Sequence, residues 1–315
     1  MVTPRSWVAP PGTGGTFHVI SRCTRRAWLL HGDHAHRREW FCALAAELLA
    51  EFRIDLHAYA LMANHVHLVL RPRPDLVAGL SDLQVAEAGH RVMPLRGGAG
   101  RSPLPPTAAV HQQLAEATAW QQEYRLRLCS LSWLLRCLKQ RFAKRANVES
   151  ACTGHFWESR FHSVPLLDLG AVVACMAYVD LNPFRAGVVS RPEEAAYTSL
   201  GARLGSVPLG QGEAALAAHL TPLAEVAPLG PWSGELPRCD LDLPTYHHLI
   251  LAAVQRTTAP AIRAGSLTTS PSDWVTCMMA AGNFQGTAVG SPEHRQRFGA
   301  LLGRSRIHDG TGLFG

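Results

Sequence analysis

Two pairs of residues in this chain have types and spacings that could do chemistry together. The first is His65 and His67, inside Asn64-His65-Val66-His67-Leu68-Val69-Leu70. Val66, Leu68, Val69 and Leu70 favour a strand, Arg71-Pro72 ends it, and side chains two apart on a strand share a face. Both imidazoles therefore point to one place, and neutral imidazole is the commonest side-chain metal ligand. A His-X-His triplet also occurs on strands that bind nothing, so a third group is needed. The second pair, Tyr178 and Asn182, lies four apart in a helical segment and shares a face. Asn182 can offer an amide oxygen to the same metal, one turn from the Tyr178 hydroxyl. A phenol with a pKa of about 10 is a poor nucleophile at neutral pH. A cation held by two imidazoles and an amide oxygen, with positions left for phosphate oxygens and water, would polarise a phosphodiester enough for that phenol to attack. Taken alone, Tyr178 also reads as a helix tyrosine at the edge of a core with its hydroxyl in water.

The elements that must position these groups follow from apolar periodicity. Residues 16–22 read as a first strand. Trp40, Phe41, Leu44, Leu48, Leu49 and Phe52 recur at helical spacing over 37–52, an amphipathic helix covering a sheet. Residues 54–60 form a second strand, joined to the histidine strand by a hairpin. Between about 79 and 124, Gly97-Gly98-Ala99-Gly100, Pro103-Leu104-Pro105-Pro106 and poor periodicity indicate an insertion, partly disordered. Over 131–145 Leu131, Leu134, Leu135, Leu138 and Phe142 lie on one helical face, with Arg141, Lys144 and Arg145 on another, either a basic ridge or a solvated surface. Residues 154–162 mix Phe156, Trp157 and Phe161 with Arg and His, suited to stacking bases and gripping phosphates, and equally to a strand with a buried aromatic face. Asp168 caps a helix whose Leu169, Val172, Val173, Met176 and Val179 face the core, and Pro183 limits its extension. Residues 202–238 read as a connector with a short helix, and 244–256, 272–281 and 291–302 as short helices of a small appendage. The expected layout is a flexible tail over 1–15, a main domain over 16–205, a connector over 206–240 and a helical C-terminal domain over 241–315.

The 315 residues carry 30 Lys and Arg against 24 Asp and Glu, a net charge of +6, which modestly favours a polyanionic partner. Eight cysteines with no C-x-x-C argue against a zinc ribbon or disulfide framework and for a reducing compartment. No stretch approaches membrane-spanning length, so the expectation is a cytoplasmic protein with no membrane partner.

"FHVISRC", "LMANHVHLVLRP", "LLRCLKQRFAKRAN", "GHFWESRFHS" and "YVDLNPFRAGVV" follow one another in an order and spacing that resembles the HUH-type single-tyrosine transposases, most nearly their REP-associated branch. The similarity covers about 16–74 and 131–189. It implies an α+β, ferredoxin-like antiparallel sheet flanked by helices. It also implies cleavage and rejoining of single-stranded DNA near hairpins through a 5′-phosphotyrosine. Carried over, Tyr178 is the nucleophile, and His65, His67 and Asn182 hold Mg²⁺ or Mn²⁺. Candidate DNA contacts are Arg136, Lys139, Arg141, Lys144, Arg145, Arg160 and Arg185 to the backbone, with Phe156, Trp157 and Phe161 stacking on unpaired bases. The implied partner is single-stranded or hairpin DNA, bound by a monomer or homodimer. The chain departs from the pattern at Ala63, where relatives often carry proline, and in the length of its insertion. Tyr59, Tyr124, Tyr197 and Tyr246 include no second tyrosine at helical spacing from Tyr178, which favours one-tyrosine chemistry. Two other readings are a domesticated hairpin-binding protein without catalysis and a metal-dependent hydrolase of another phosphoester.

Overall fold

Alternating apolar residues build a four-stranded antiparallel sheet at the centre of the chain. A computed structural model describes residues 15–95, 103–226, 241–255, 262–264, 267–269 and 288–301. Strand β1 (Thr16–Arg22) is followed by helix α1 (Arg37–Glu51), β2 (Ile54–Leu61) and β3 (His65–Pro72), in close accord with the periodicity. Four helices follow: α2 (Pro74–Ala78), α3 (Asp82–Val92), α4 (Ala108–Glu116) and α5 (Thr118–Leu128). Then come α6 (Leu131–Glu149), β4 (His162–Leu166), α7 (Leu169–Asp180), α8 (Asn182–Arg185), α9 (Ser199–Leu204) and α10 (Gln211–Ala217). Beyond them lie α11 (Leu243–Gln255), a short antiparallel pair β5 (Ile262–Ala264) and β6 (Leu267–Thr269), and α12 (Pro292–Leu301).

The sheet order is β2-β3-β1-β4, so the histidine strand is central, and the fold is α+β with the strand order of a ferredoxin-like domain. The two faces bury different layers. Phe17, Val19, Val66, Leu68 and Leu70 pack with Phe41 and Leu48 of α1 and Leu138 and Phe142 of α6. The opposite face, with Ala58, Ala60 and Val69, is covered by α7. Side-chain alternation sends His65 and His67 to this second face, and β1 adds His18, since Ile20 pairs with His67 and His18 with Val69.

Two expectations are corrected. The stretch from 79 to 124 holds α3, α4 and the first part of α5, with short non-helical segments among its described residues, and these helices complete the first core through Val85, Ala88, Val92 and Tyr124. Its periodicity is masked because small and polar residues make the contacts: Gly89 lies under the rings of Trp120 and Tyr124, and His90, His111 and Gln121 are buried. A capping box between Ser81 and Gln84 starts α3. Gly97 to Gly100 lie outside the described residues. Helix α11 is no appendage: Tyr246, Leu249 and Ile250 share the core of α7, and the Tyr246 hydroxyl donates to Asp180 at 2.7 Å. Helix α10, inside the expected connector, packs on α1, where the Gly212 N–H donates to Glu39. The helix expected over 272–281 lies outside the described residues. Among the described residues no helix is long and apolar enough to cross a membrane.

Candidate functional site

Helix α7 owes its position to its composition. Leu169, Val172, Val173, Met176 and Val179 are all buried between the sheet and α11, and the Asp168 carboxylate accepts from the Ala171 N–H at 2.8 Å to cap it, as expected. Its last turn delivers Tyr178, half-buried, to the end of β3. The Tyr178 ring lies 5.8 Å from the His67 ring and 6.0 Å from the His18 ring, edge-on to both. His65 and His67 are 4.8 Å apart. The phenol and both motif histidines therefore stand on the same side of the sheet.

Asn182 does not continue the helix of Tyr178. Helix α7 ends at Asp180, and Asn182 opens α8, because Pro183 has no N–H to extend the ladder. Leu181 keeps a near-helical backbone (φ −81°, ψ −5°), so the four-residue spacing still brings Asn182 to Tyr178, with a hydrogen bond between the two side chains. The Asn182 Nδ2 lies 3.2 Å from His67 Nε2. Sequence reading assigned the amide oxygen to this place. With the amide nitrogen there, its N–H donates to the imidazole lone pair, and a half-turn of the amide group presents Oδ1 instead.

The other ring nitrogens are tied back. His65 Nδ1 meets Asn64 Oδ1 at 2.7 Å, and His67 Nδ1 meets His18 Nε2 at 2.9 Å. Outer-shell partners of this kind orient imidazoles that bind metals, leaving Nε2 of each as the donor atom. Burial, reinforced by the Arg22 charge, lowers His65 to about 4. Burial also drives His67 well below its ordinary value, with His18, His65 and Arg22 adding to it, and lowers His18 to about 3, aided by His162. All three rings are neutral near pH 7, which keeps lone pairs available. The Asn182 amide and His67 Nε2 hydrogen-bond each other at 3.2 Å, so a cation here would take the place of that bond, with Oδ1 turned towards it. The donor set of two imidazoles and one amide thus fits a divalent cation, and its mixed N/O character suits Mn²⁺ as well as Mg²⁺. Among the described residues no group of three or more His, Cys, Asp or Glu side chains is placed to hold a metal ion, so two imidazoles and one amide would be the whole protein donor set here.

Burial pushes the Tyr178 hydroxyl above its ordinary range, opposed by Arg185, Asn182 and Arg22. The Arg185 guanidinium lies 5.3 Å from the Tyr178 ring, and Arg22 stands opposite His65 in the β1–β3 register. Sequence reading missed His18 and Arg22. Their even-numbered places on β1 were legible, but their neighbours depended on a strand register that only the folded sheet supplies.

The basic and aromatic candidates divide. Phe156, Trp157 and Phe161 are core residues of the α1–α6 layer, 4%, 7% and 8% exposed, so their ring faces are spent on packing and cannot stack on bases. The Trp157 indole N–H donates to the Lys139 carbonyl, and the Lys139 ammonium to Ser159 O at 2.7 Å. Arg141 pairs with Glu47 at 2.8 Å and donates to Val92 O, while the Arg145 guanidinium stacks 3.8 Å from the Trp40 ring. Arg136, Lys144, Arg160 and Arg185 are exposed. Helix α6 lies on the sheet face opposite Tyr178, so of the basic candidates it is Arg185 that stands at the tyrosine.

No protein-family profile and no curated protein matches the sequence. A solved structure described as "Structure of the REP associates tyrosine transposase bound to a REP hairpin" is similar to this chain at 13% identity, covering 67% of this chain and 93% of that one, with a TM-score of 0.39.

Proposed function

We propose that this chain is a metal-dependent DNA endonuclease and strand transferase that cuts and rejoins single-stranded DNA beside hairpins, with Tyr178 as nucleophile. The observation that carries the reading is the convergence of Tyr178, His67 and Asn182, with rings 5.8 Å apart and amide and imidazole at 3.2 Å, beside His65. The substrate class rests on the motif resemblance and on the cations at the site's edge. His65, His67 and Asn182 would hold Mg²⁺ or Mn²⁺, which when bound supplies Lewis-acid polarisation of the phosphodiester.

The chain's own residues do the rest. Tyr178 Oη forms a bond to phosphorus as the P–O3′ bond breaks. The phenolic proton is given up and the departing 3′-oxygen takes one, so no net proton is consumed. The strand stays joined through its 5′-phosphate to the tyrosine, and the other end leaves as a free 3′-OH. One phosphodiester has replaced another, so attack by a 3′-OH on the phosphotyrosine restores a DNA linkage without nucleotide energy. Arg185 and Arg22 favour the phenolate that burial disfavours, and their charge complements the phosphate. Tyr59, Tyr124 and Tyr246 are buried and cannot substitute for Tyr178.

The test is a labelled hairpin oligonucleotide with a single-stranded flank, incubated with Mn²⁺ or Mg²⁺. The wild-type protein releases a fragment with a free 3′-OH, whereas Tyr178→Phe binds the oligonucleotide and leaves it intact. Free 5′-phosphate with no protein-linked product replaces the reading with hydrolysis, and hairpin binding without cleavage replaces it with a binding protein.

A further inference from the structure

Helix α6 separates two clefts. One, of about 750 Å³, lies between α6 and residues 154–161; the other, of about 670 Å³, lies between α6, the end of α3 and α5. Arg136 and Gln140, exposed and one turn apart, line both, so the clefts meet across the outward face of the helix. Charge in them is one-sided. The first has Arg136, Lys139 and Arg160 against Glu158, and the second has four cations and no acid in its lining. Among the described residues Arg127 pairs with Glu123 and Arg141 with Glu47, but Arg136, Lys144 and Arg160 have no acidic partner. Trp133 holds two guanidinia in place, Arg127 at 4.0 Å and Arg136 at 4.7 Å from its ring centre, a stacking that leaves N–H edges for phosphate oxygens.

The first cleft begins at the tyrosine's end of the sheet. Its wall is pinned to the end of β1, where the Glu158 N–H donates to Arg22 O and the Thr24 N–H to Phe156 O, each at 2.9 Å, and Arg22 lies opposite His65. We infer that a single strand of DNA passing from the tyrosine rounds the end of β1, follows the first cleft, crosses α6 at Arg136 and enters the second cleft. Helices α3 and α5 thereby form a second nucleic-acid-binding wall, remote from the chemistry, built from the segment that the sequence marked as an insertion. The inference rests on the reading of Tyr178 for its direction of travel. The stretch of α6 from Ser132 to Lys144 is about 18 Å long, enough to follow several nucleotides. A single strand fits better than a duplex because cations alternate with Met93, Leu95 and Trp133, which suit unpaired bases between phosphates.

The experiment uses Tyr178→Phe protein, so that binding is read without cleavage, and hairpin oligonucleotides whose single-stranded flank grows from about two to about eight nucleotides. The expected result is a Kd that falls about tenfold or more along the series. Adding Lys144→Gln removes most of that gain and lowers the slope of log Kd against log salt for the longest flank by about 0.7, the value for one lost single-strand phosphate contact. Adding Arg136→Gln as well removes the remainder. A Kd independent of flank length, or a gain and salt slope untouched in the Arg136→Gln, Lys144→Gln protein, overturns the track. The two proposals fail separately: length-dependent binding with no adduct in the wild type removes the chemistry and leaves the track.

Discussion

His18 Nε2 lies 2.9 Å from His67 Nδ1, and both rings are buried on the face of the sheet that carries Tyr178. If the Asn182 amide donates to His67 Nε2, the His67 proton sits on Nδ1 and His18 accepts it. That is also the tautomer that frees Nε2 for a metal. His18 is therefore a positioning residue. His18→Phe keeps a ring in the core but removes the acceptor, and Mn²⁺ affinity should fall about 10- to 100-fold, measured by calorimetry or by the spin signal of free Mn²⁺. An unchanged affinity would mean that His67 is oriented without His18.

A second histidine makes stability depend on pH. His57, on β2 at the irregular step between Leu56 and Ala58, is fully buried, and neither ring nitrogen has a hydrogen-bond partner among the described residues. Burial, then Arg71 and Arg73 of the β3 end and Arg203 of α9, lower it from 6.5 to about 3. The unfolded chain therefore binds the proton first. The stability due to neutral His57 is complete above pH 6.5 and is lost as pH falls towards 3. His57→Leu should reduce the loss of unfolding free energy between about pH 7.5 and about pH 5 by about 2 kcal/mol, read from urea midpoints. Equal losses in the two proteins would show that His57 is not held neutral.

Gly89 reports on the segment between the sheet and α6. A Cβ there would sit 2.5 Å from Tyr124 Cδ1 and 2.7 Å from Trp120 Cη2, where α3 meets α5. Gly89→Ala should destabilise the protein by about 1–3 kcal/mol through overpacking, although alanine is the better helix former. A gain in stability would mean that α3 and α5 do not pack as the structure has them.

Strand and helix periodicity were legible wherever one face is apolar and the other polar, which is why β1, α1, β3 and the cap at Asp168 fall where the sequence puts them. The pair His65 and His67 was legible for the same reason, since alternation alone fixes a shared face. Where contacts are made by glycine, alanine and buried polar groups, as at Gly89, His90 and Gln121, the pattern disappears and a packed segment reads as an insertion. Register was invisible, so His18 and Arg22 were missed. Phe156 and Trp157 show the converse: aromatics beside basic residues suggest a stacking platform, yet their bulk is used to close the core against Phe41 and Phe142.

The central claim is tested most directly by locating the covalent bond. The wild-type protein is incubated with Mn²⁺ and a hairpin oligonucleotide, digested, and examined by mass spectrometry for a peptide carrying a nucleotide adduct. The adduct is expected on Tyr178 through a 5′-phosphate, and absent from Tyr178→Phe. An adduct on another residue, or one that persists in Tyr178→Phe, contradicts the account.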